Sequence, residues 1–314
     1  MKRQNSPSWE SSNKKRSRRR PDLSRKHRRH RIILFGMILF AYACFTLYDA
    51  FLLPKKIKQP PDNSPAETAA LIPGSQQITD TSYQDDHISI TISKERLLDS
   101  DVTIADVKLS DPSLLKAGLA GGVFGRNITD NTSAIASECG AIFAVNGDFY
   151  GFRDDGIVMR NSFLYRNVPR TDPASDVLLI DRQGNFSICP DSAMTDVLIN
   201  DSVQIISFGP GLVENGSITE NAMAASERNP RTAIGQVEPL HYIFVTVDGR
   251  TTENAGMFLT DLAGLMKSLG CQTAYNLDGG GSTAMWFMGK VLNTPADGHK
   301  LGERKVSDIV YIGY

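Results

Sequence analysis

The stretch YIFVTVDGRTTENAGMFLTDLAGLMKSLGCQTAYNLDGGGST, Tyr242 to Thr283, decides the fold. Its apolar opening, Tyr242 to Val247, reads as a strand that ends on Asp248. Met257, Leu262, Leu265, Met266 and Leu269 then recur at helical spacing, and Gly270 stands where a C-terminal cap belongs. A second strand, Gln272 to Leu277, ends on Asp278. Strand, helix and strand in this order predict a βαβ unit with parallel strands and a right-handed crossover. Both carboxyl ends then face one edge, where open α/β sheets bind ligands, so Asp248 and Asp278 are expected at one crevice.

Directly after Asp278 come Gly279, Gly280, Gly281, Ser282 and Thr283. Consecutive glycines forfeit backbone entropy and packing, so a fold tolerates them mainly where φ is positive or a ligand approaches the main chain closely. Their successive N–H groups can cradle an anion. A tight turn with an Asx cap is the duller alternative, but it needs one glycine rather than three.

Outward from this segment, Ile88, Ile90 and Ile92, then Val102, Ile104 and Val107, alternate as half-buried strands do. A short helix, Thr132 to Cys139, leads into a strand at Ala141 to Val145 that ends on NGDFYG. Val177 to Ile180 and Phe186 to Ile188 flank a turn at Arg182 to Gly184 and predict a hairpin. Further strands are expected at 203–207, 232–235 and 309–312. Residues 87–314 therefore read as one strand-rich domain of α+β or mixed α/β class, containing the βαβ unit.

The net charge of −1 conceals an asymmetry: residues 1–31 hold thirteen Lys or Arg against Glu10 and Asp22, a net of +11, and the remainder carries −12. Ile32 to Leu53 is a run of 22 residues whose only charge is Asp49. As a helix it would cover about 33 Å, enough for a hydrocarbon core of roughly 30 Å. Its length and the following Pro54, Lys55, Lys56 and Lys58 favour an uncleaved anchor over a cleaved signal peptide. The basic tail then lies in the cytoplasm and all that follows lies outside, a single-pass arrangement at the cell membrane. Beside such a span the basic run is an orientation signal, not a nucleic-acid arm, so no nucleic-acid partner is expected. Residues 54–86, with Pro54, Pro60, Pro61, Pro65 and Pro73, read as a tether. Cys44 falls in the span, and Cys139, Cys189 and Cys271 make no disulfide framework.

Three Asp-bearing loops follow strands: NGDFYG with Asn146 and Asp148, VDGR with Asp248 and Arg250, and NLDGGGST with Asp278. NPRT places Arg231 just before a strand. Paired carboxylates suit glycosyl transfer to water, and an Arg with a glycine nest suits phosphate, so the set points to a sugar attached to phosphate. Asp248 before Gly249 is also an ordinary turn dipeptide, and Arg231 also reads as a surface ion-pair residue. Asp148, Asp154 and Asp155 are a candidate Ca²⁺ site, without the spacing of an EF loop. Otherwise no cofactor is required. HExxH and GxSxG are absent, and no histidine lies near Ser282 in sequence.

The series NGDFYG, Val158-Met159-Arg160-Asn161, NPRTAIG, VTVDGR, the 262–270 helix, YNLDGGGSTAM and GERKVSDIVYIG resembles the phosphodiester glycosidase domain family over about Thr91 to Tyr314. The resemblance implies a catalytic domain that hydrolyses the bond between a sugar's anomeric carbon and a phosphodiester oxygen, as in N-acetylglucosamine-1-phosphodiesters. Its expected partner is a phosphosugar polymer or glycoconjugate. Carried over position by position, the site comprises Asn146 and Gly147, Arg231 and Thr232, Asp248 and Gly249, and Asn276 to Thr283, including Gly279, Gly280, Gly281 and Ser282. Asp278 is expected to be the central carboxylate, with Asp248 or Asp148 as its partner. Some relatives carry a small residue at the Asp148 position, which favours Asp278. Two rivals remain: a non-catalytic module that binds phosphosugar polymers, and a metal-dependent phosphodiesterase that cuts the phosphorus–oxygen bond.

Overall fold

The computed structural model describes residues 23–51, 56–58, 71–224, 227–298 and 300–314, and divides the chain into Met1–Leu53 and Pro54–Tyr314. In the first unit, α1 runs from Leu23 to Phe51. Among the described residues no helix is long and apolar enough to cross a membrane. α1 opens on Arg25, Lys26, Arg28, Arg29 and Arg31, so charged residues take up its first turns before the apolar residues begin at Ile32. The expected anchor over 32–53 and the single-pass membrane location are thereby corrected. Residues 1–22 of the expected tail, 52–53 of the expected anchor, and 54–55 and 59–70 of the expected tether lie outside the described residues.

Along the second unit the chief elements are β1 (Ile88–Leu97), β2 (Ser100–Leu109), β3 (Leu115–Leu119), α2 (Thr132–Glu138), β4 (Phe143–Asn146) and β5 (Val158–Arg160). There follow β6 (Asp176–Asp181), β7 (Ser202–Ile206), β8 (Gly211–Glu214), β9 (Arg231–Glu238) and β10 (His241–Val247). The chain ends with α3 (Leu259–Ser268), β11 (Thr273–Leu277), β12 (Met285–Phe287) and β13 (Asp308–Ile312).

A nine-stranded sheet carries the order β8-β11-β9-β10-β2-β1 through its middle. A second sheet runs β12-β4-β13-β3, and a third runs β5-β7-β6 and on to the strand Phe186–Pro190, which forms the expected hairpin with β6. The alternation along β10 shows how the layers form. Tyr242 and Phe244 face a core shared with Phe143, Val145, Val310 and Ile312 of the second sheet and Leu178, Ile180 and Ile206 of the third. Ile243, Val245 and Val247 face the other way, onto Leu259, Leu262, Ala263 and Met266 of α3. The second sheet has its own outer cover, where Ile135 and Ala136 of α2 pack on Ala144, Trp286 and Ile309.

The α+β or mixed α/β class with a βαβ unit is the second expectation to be corrected. The fold is built mainly of β-sheets with short helices in the second unit, and every strand pairing among the described residues is antiparallel. The cause is the tight turn at Pro239 and Leu240, where Leu240 has φ 61°. It folds β9 back onto β10, pairing Arg231 with Val247 and Glu238 with His241. β11 then takes the free side of β9, with Thr232 opposite Leu277. So α3 does join two strands of the same direction, but β9 separates them.

Candidate active site

That arrangement leaves the end of β10, the end of β11 and the start of β9 at one edge of the sheet. Asn146, at the end of β4, reaches across from the second sheet. Its Oδ1 accepts from Thr232 Oγ1 at 2.7 Å, and its Nδ2 donates to the carbonyl oxygen of Asp278 at 2.5 Å. The Asp278 N–H in turn donates to the Gly147 carbonyl at 3.1 Å. Asn146, Gly147, Thr232 and Asp278 are thus fastened together by a buried amide that satisfies groups on three segments.

The three expected carboxylates meet different surroundings. Asp278 is 7% exposed, and its Oδ1 accepts from the Gly279 N–H at 2.8 Å and lies 3.6 Å from Arg304 Nη2. Burial raises its pKa against the lowering effect of Ser282 and Arg304, and the negative charge of Asp148 adds to the rise. Asp148 is held on every side: it accepts from Arg153 Nη2 at 2.8 Å, from the Phe149 N–H at 2.6 Å, from the Ser207 N–H at 3.0 Å and from Arg160 Nη2 at 3.4 Å. Burial opposes its ionisation, yet Arg153 and Arg160 with the two N–H groups outweigh it and hold the carboxyl below its ordinary range. Asp248 ties a later loop, accepting from Asn293 Nδ2 and the Thr294 N–H at 2.9 Å each, and burial raises its pKa against those bonds.

The glycine loop is a single tight turn. Gly280 has φ +60° and donates to the Pro230 carbonyl at 2.9 Å, while Ser282 and Thr283 donate back to Gly279 and Gly280. The loop's donors are therefore largely engaged within the turn, and cationic side chains ring it instead. A Cβ on Gly280 would lie 2.9 Å from Arg250 Nη1, and one on Gly281 would lie 2.7 Å from the Asp297 side chain. Gly280→Ala is expected to cost on the order of 1 kcal/mol or more in thermal unfolding, because it combines that contact with a left-handed φ. Arg304 donates to Ser282 Oγ and to the Gly279 carbonyl, both at 3.1 Å.

Arg231 is directed elsewhere. Its Nε donates to the Met257 carbonyl at 3.0 Å and its Nη2 to the Glu227 carbonyl at 2.7 Å. Burial, then the charge of Arg250, lowers its pKa to about 10. Asn276 donates from Nδ2 to the Gly209 carbonyl at 2.7 Å, whereas its Oδ1 and the Thr283 hydroxyl are buried without a partner. Two of the three residues suggested for Ca²⁺ face arginines, Asp148 to Arg153 and Asp154 to Arg126. Among the described residues no three His, Cys, Asp or Glu converge as metal ligands. A separate cleft of about 400 Å³ is lined by Arg170, Asp176, Phe208, Pro210 and Asn221 and by none of the expected site residues.

Arg160, Asp308 and Arg304 had no assigned role in the sequence reading. Asp308 Oδ2 accepts from Arg160 Nε at 2.7 Å, its Oδ1 accepts from the Asp148 N–H at 2.8 Å, and both side chains are buried. A signal existed: an arginine after Val158 and Met159, and an aspartate opening the apolar run DIVYI, are charges in strands that are otherwise core.

The sequence model described as phosphodiester glycosidase matches residues 139–313. The SPbeta prophage-derived uncharacterized protein YomE of Bacillus subtilis (strain 168) is 28% identical over 202 residues, 61% of this chain and 31% of that protein. The chain thus spans about a third of the length of this curated relative. Among solved structures, the catalytic domain of zebrafish N-acetylglucosamine-1-phosphodiester alpha-N-acetylglucosaminidase, auto-inhibited by its pro-peptide, matches with a TM-score of 0.60 and 22% identity, over 77% of this chain and 89% of that one. A hypothetical protein from Synechocystis matches with a TM-score of 0.51 and 16% identity, over 72% and 62%. At these identities the two structures support the fold alone. With the match over 139–313 covering more than half of its length, the chain belongs to the phosphodiester glycosidase family, hydrolases that act on phosphodiester-linked sugars.

Proposed function

We propose that this chain hydrolyses the bond between the anomeric carbon of a sugar and a phosphodiester oxygen, with Asp278 as the acid. The observation that carries the reading is a pair of carboxylates in one site driven apart in pKa, Asp278 upward and Asp148 downward. Such a split separates a proton donor from a fixed negative charge. Asp278 gives its proton to the departing phosphate oxygen, water supplies hydroxide to the anomeric carbon, and the remaining proton restores the carboxyl. Asp148, kept ionised by its arginines and buried out of the substrate's reach, adds negative charge that helps hold Asp278 protonated. Asp248, bonded to Asn293 and Thr294, positions the loop beside them. N-acetylglucosamine is the sugar proposed, since the zebrafish relative is described as acting on its 1-phosphodiester. A phosphosugar polymer or glycoconjugate would present that bond.

Because Asp278 acts protonated and its pKa is raised, turnover is expected to be full below that pKa and to fall as pH rises through it. A kcat profile against pH checks this. Incubating the full chain with an N-acetylglucosamine-1-phosphodiester tests the reaction itself. Free sugar with a phosphomonoester is the expected outcome; sugar phosphate would mean cleavage at phosphorus, and no product would mean a binding module.

A further inference from the structure

We propose that Arg250 and Arg304 form the clamp for the substrate phosphate, and that Asp297 occupies this clamp as an internal anion until substrate displaces it. The inference rests on the hydrolytic reading above. The two arginines come from distant segments, Arg250 just after β10 and Arg304 just before β13, yet meet on one carboxylate oxygen. Asp297 Oδ1 lies 3.3 Å from Arg250 Nη1 and 3.9 Å from Arg304 Nη1. Arg304 Nη2 also lies 3.6 Å from Asp278 Oδ1, so the clamp adjoins the proposed acid.

The hold on Asp297 is loose. Tight guanidinium–carboxylate bonds are about 2.7–2.9 Å long, and the side chains of Arg250, Arg304 and Asp297 are 37%, 38% and 45% exposed. An ion pair so open to water is worth little, about 0–1 kcal/mol, and gives way easily to a better anion. A phosphate group can present a separate oxygen to each arginine, where Asp297 meets both through Oδ1 alone. Arg250 gives Nε and Nη2 to Asn229 Oδ1, and Arg304 gives Nε to Ser282 Oγ and Nη2 to the Gly279 carbonyl, so in each it is Nη1 that meets Asp297. Arg231, with Nε and Nη2 likewise on carbonyls, has no ion pair among the described residues and is the poorer candidate.

The surroundings fit exchange. Gly281 leaves bare backbone under Asp297, since a Cβ there would lie 2.7 Å from it. Asp297 lies on the short hairpin of Ala296–Asp297 and Lys300–Leu301, and the preceding Asn293 and Thr294 stay fastened to Asp248. The carboxylate can therefore swing out while the base of its hairpin stays put.

The test is calorimetric titration of the full chain with inorganic phosphate, for wild type, Asp297→Asn and Arg250→Gln. Removing the competing charge with the isosteric Asp297→Asn is expected to tighten phosphate binding roughly three- to tenfold. Arg250→Gln is expected to weaken it by a similar factor, and the double variant to bind no better than Arg250→Gln. Unchanged or weaker binding in a normally melting Asp297→Asn overturns the proposal, and this variant decides alone if Arg250→Gln unfolds. The two readings fail separately: hydrolysis with no response of phosphate affinity to Asp297→Asn removes the clamp, whereas a clamp that responds without release of sugar removes the hydrolase.

Discussion

Asp278→Asn is expected to lower kcat by about 10²–10⁴-fold, the range that a positioned proton donor contributes, while the chain melts as wild type does. The two halves of this expectation have separate origins. Asp278 serves the fold through its backbone, whose carbonyl receives Asn146 and whose N–H reaches Gly147, and through Oδ1, which accepts from the Gly279 N–H; the substitution leaves the first two, and an amide oxygen can keep the third. What the carboxyl adds is a proton, held in a site where burial favours the neutral form. Melting and turnover measured side by side separate the two. A variant that melts normally and turns over near the wild-type rate would remove Asp278 as the acid and reduce the glycine loop to a binding element.

Arg160→Met is expected to cost about 3–5 kcal/mol of stability, the usual penalty for leaving buried charge without its partner. Arg160 is fully buried between Asp308 and Asp148, and its Nη1 also donates to the carbonyls of Met159 and Ile205. Even with the arginine present, burial drives Asp308 up to about 6, against the pull of Arg160. Without it Asp308 favours protonation still more and Asp148 loses one of the two arginines that keep it ionised, so the loss should shrink as pH falls towards 5, where protonation of Asp308 removes stranded charge. Chemical denaturation at pH 7 and pH 5 tests both parts. Adding Asp308→Asn to Arg160→Met should recover part of the loss at pH 7, because one stranded carboxylate is gone.

How much of this was legible depended on range along the chain. The strand at 242–247, the helix around 262–269 and the hairpin at 177–188 depend on periodicity or on turns between neighbours, and each stands in the structure. β9 joins β10 through the turn at 239–240, but its pairing with β11 runs from Gln236 opposite Thr273 to Thr232 opposite Leu277, a separation along the chain that no local pattern reports. The edge shared by Asp248 and Asp278 was still foreseen, since β10 and β11 do run in the same direction. In the site, the LDGGG loop stood out by composition. The contrast between Asp278 and Asp148 did not, because it arises from Arg153 and Arg160, which are near Asp148 in space through β5 and the 153 turn. The anchor has no such counterpart in the structure: among the described residues no helix is long and apolar enough to cross a membrane.

The strand that intrudes between β10 and β11 also acts as a spacer gauge. Neighbouring strands lie about 4.8 Å apart, so two flanks of one strand stand roughly 10 Å apart whatever side chains they carry. The gap between the roots of the Asp248 and Asp278 loops is consequently fixed by backbone pairing to β9, not by the loops themselves. Loop exchange should then be a workable route to new substrates: the loop could be lengthened at residues 251–253 to meet a different sugar, with Arg250 kept, while the distance across the mouth of the cleft remains that of one intervening strand.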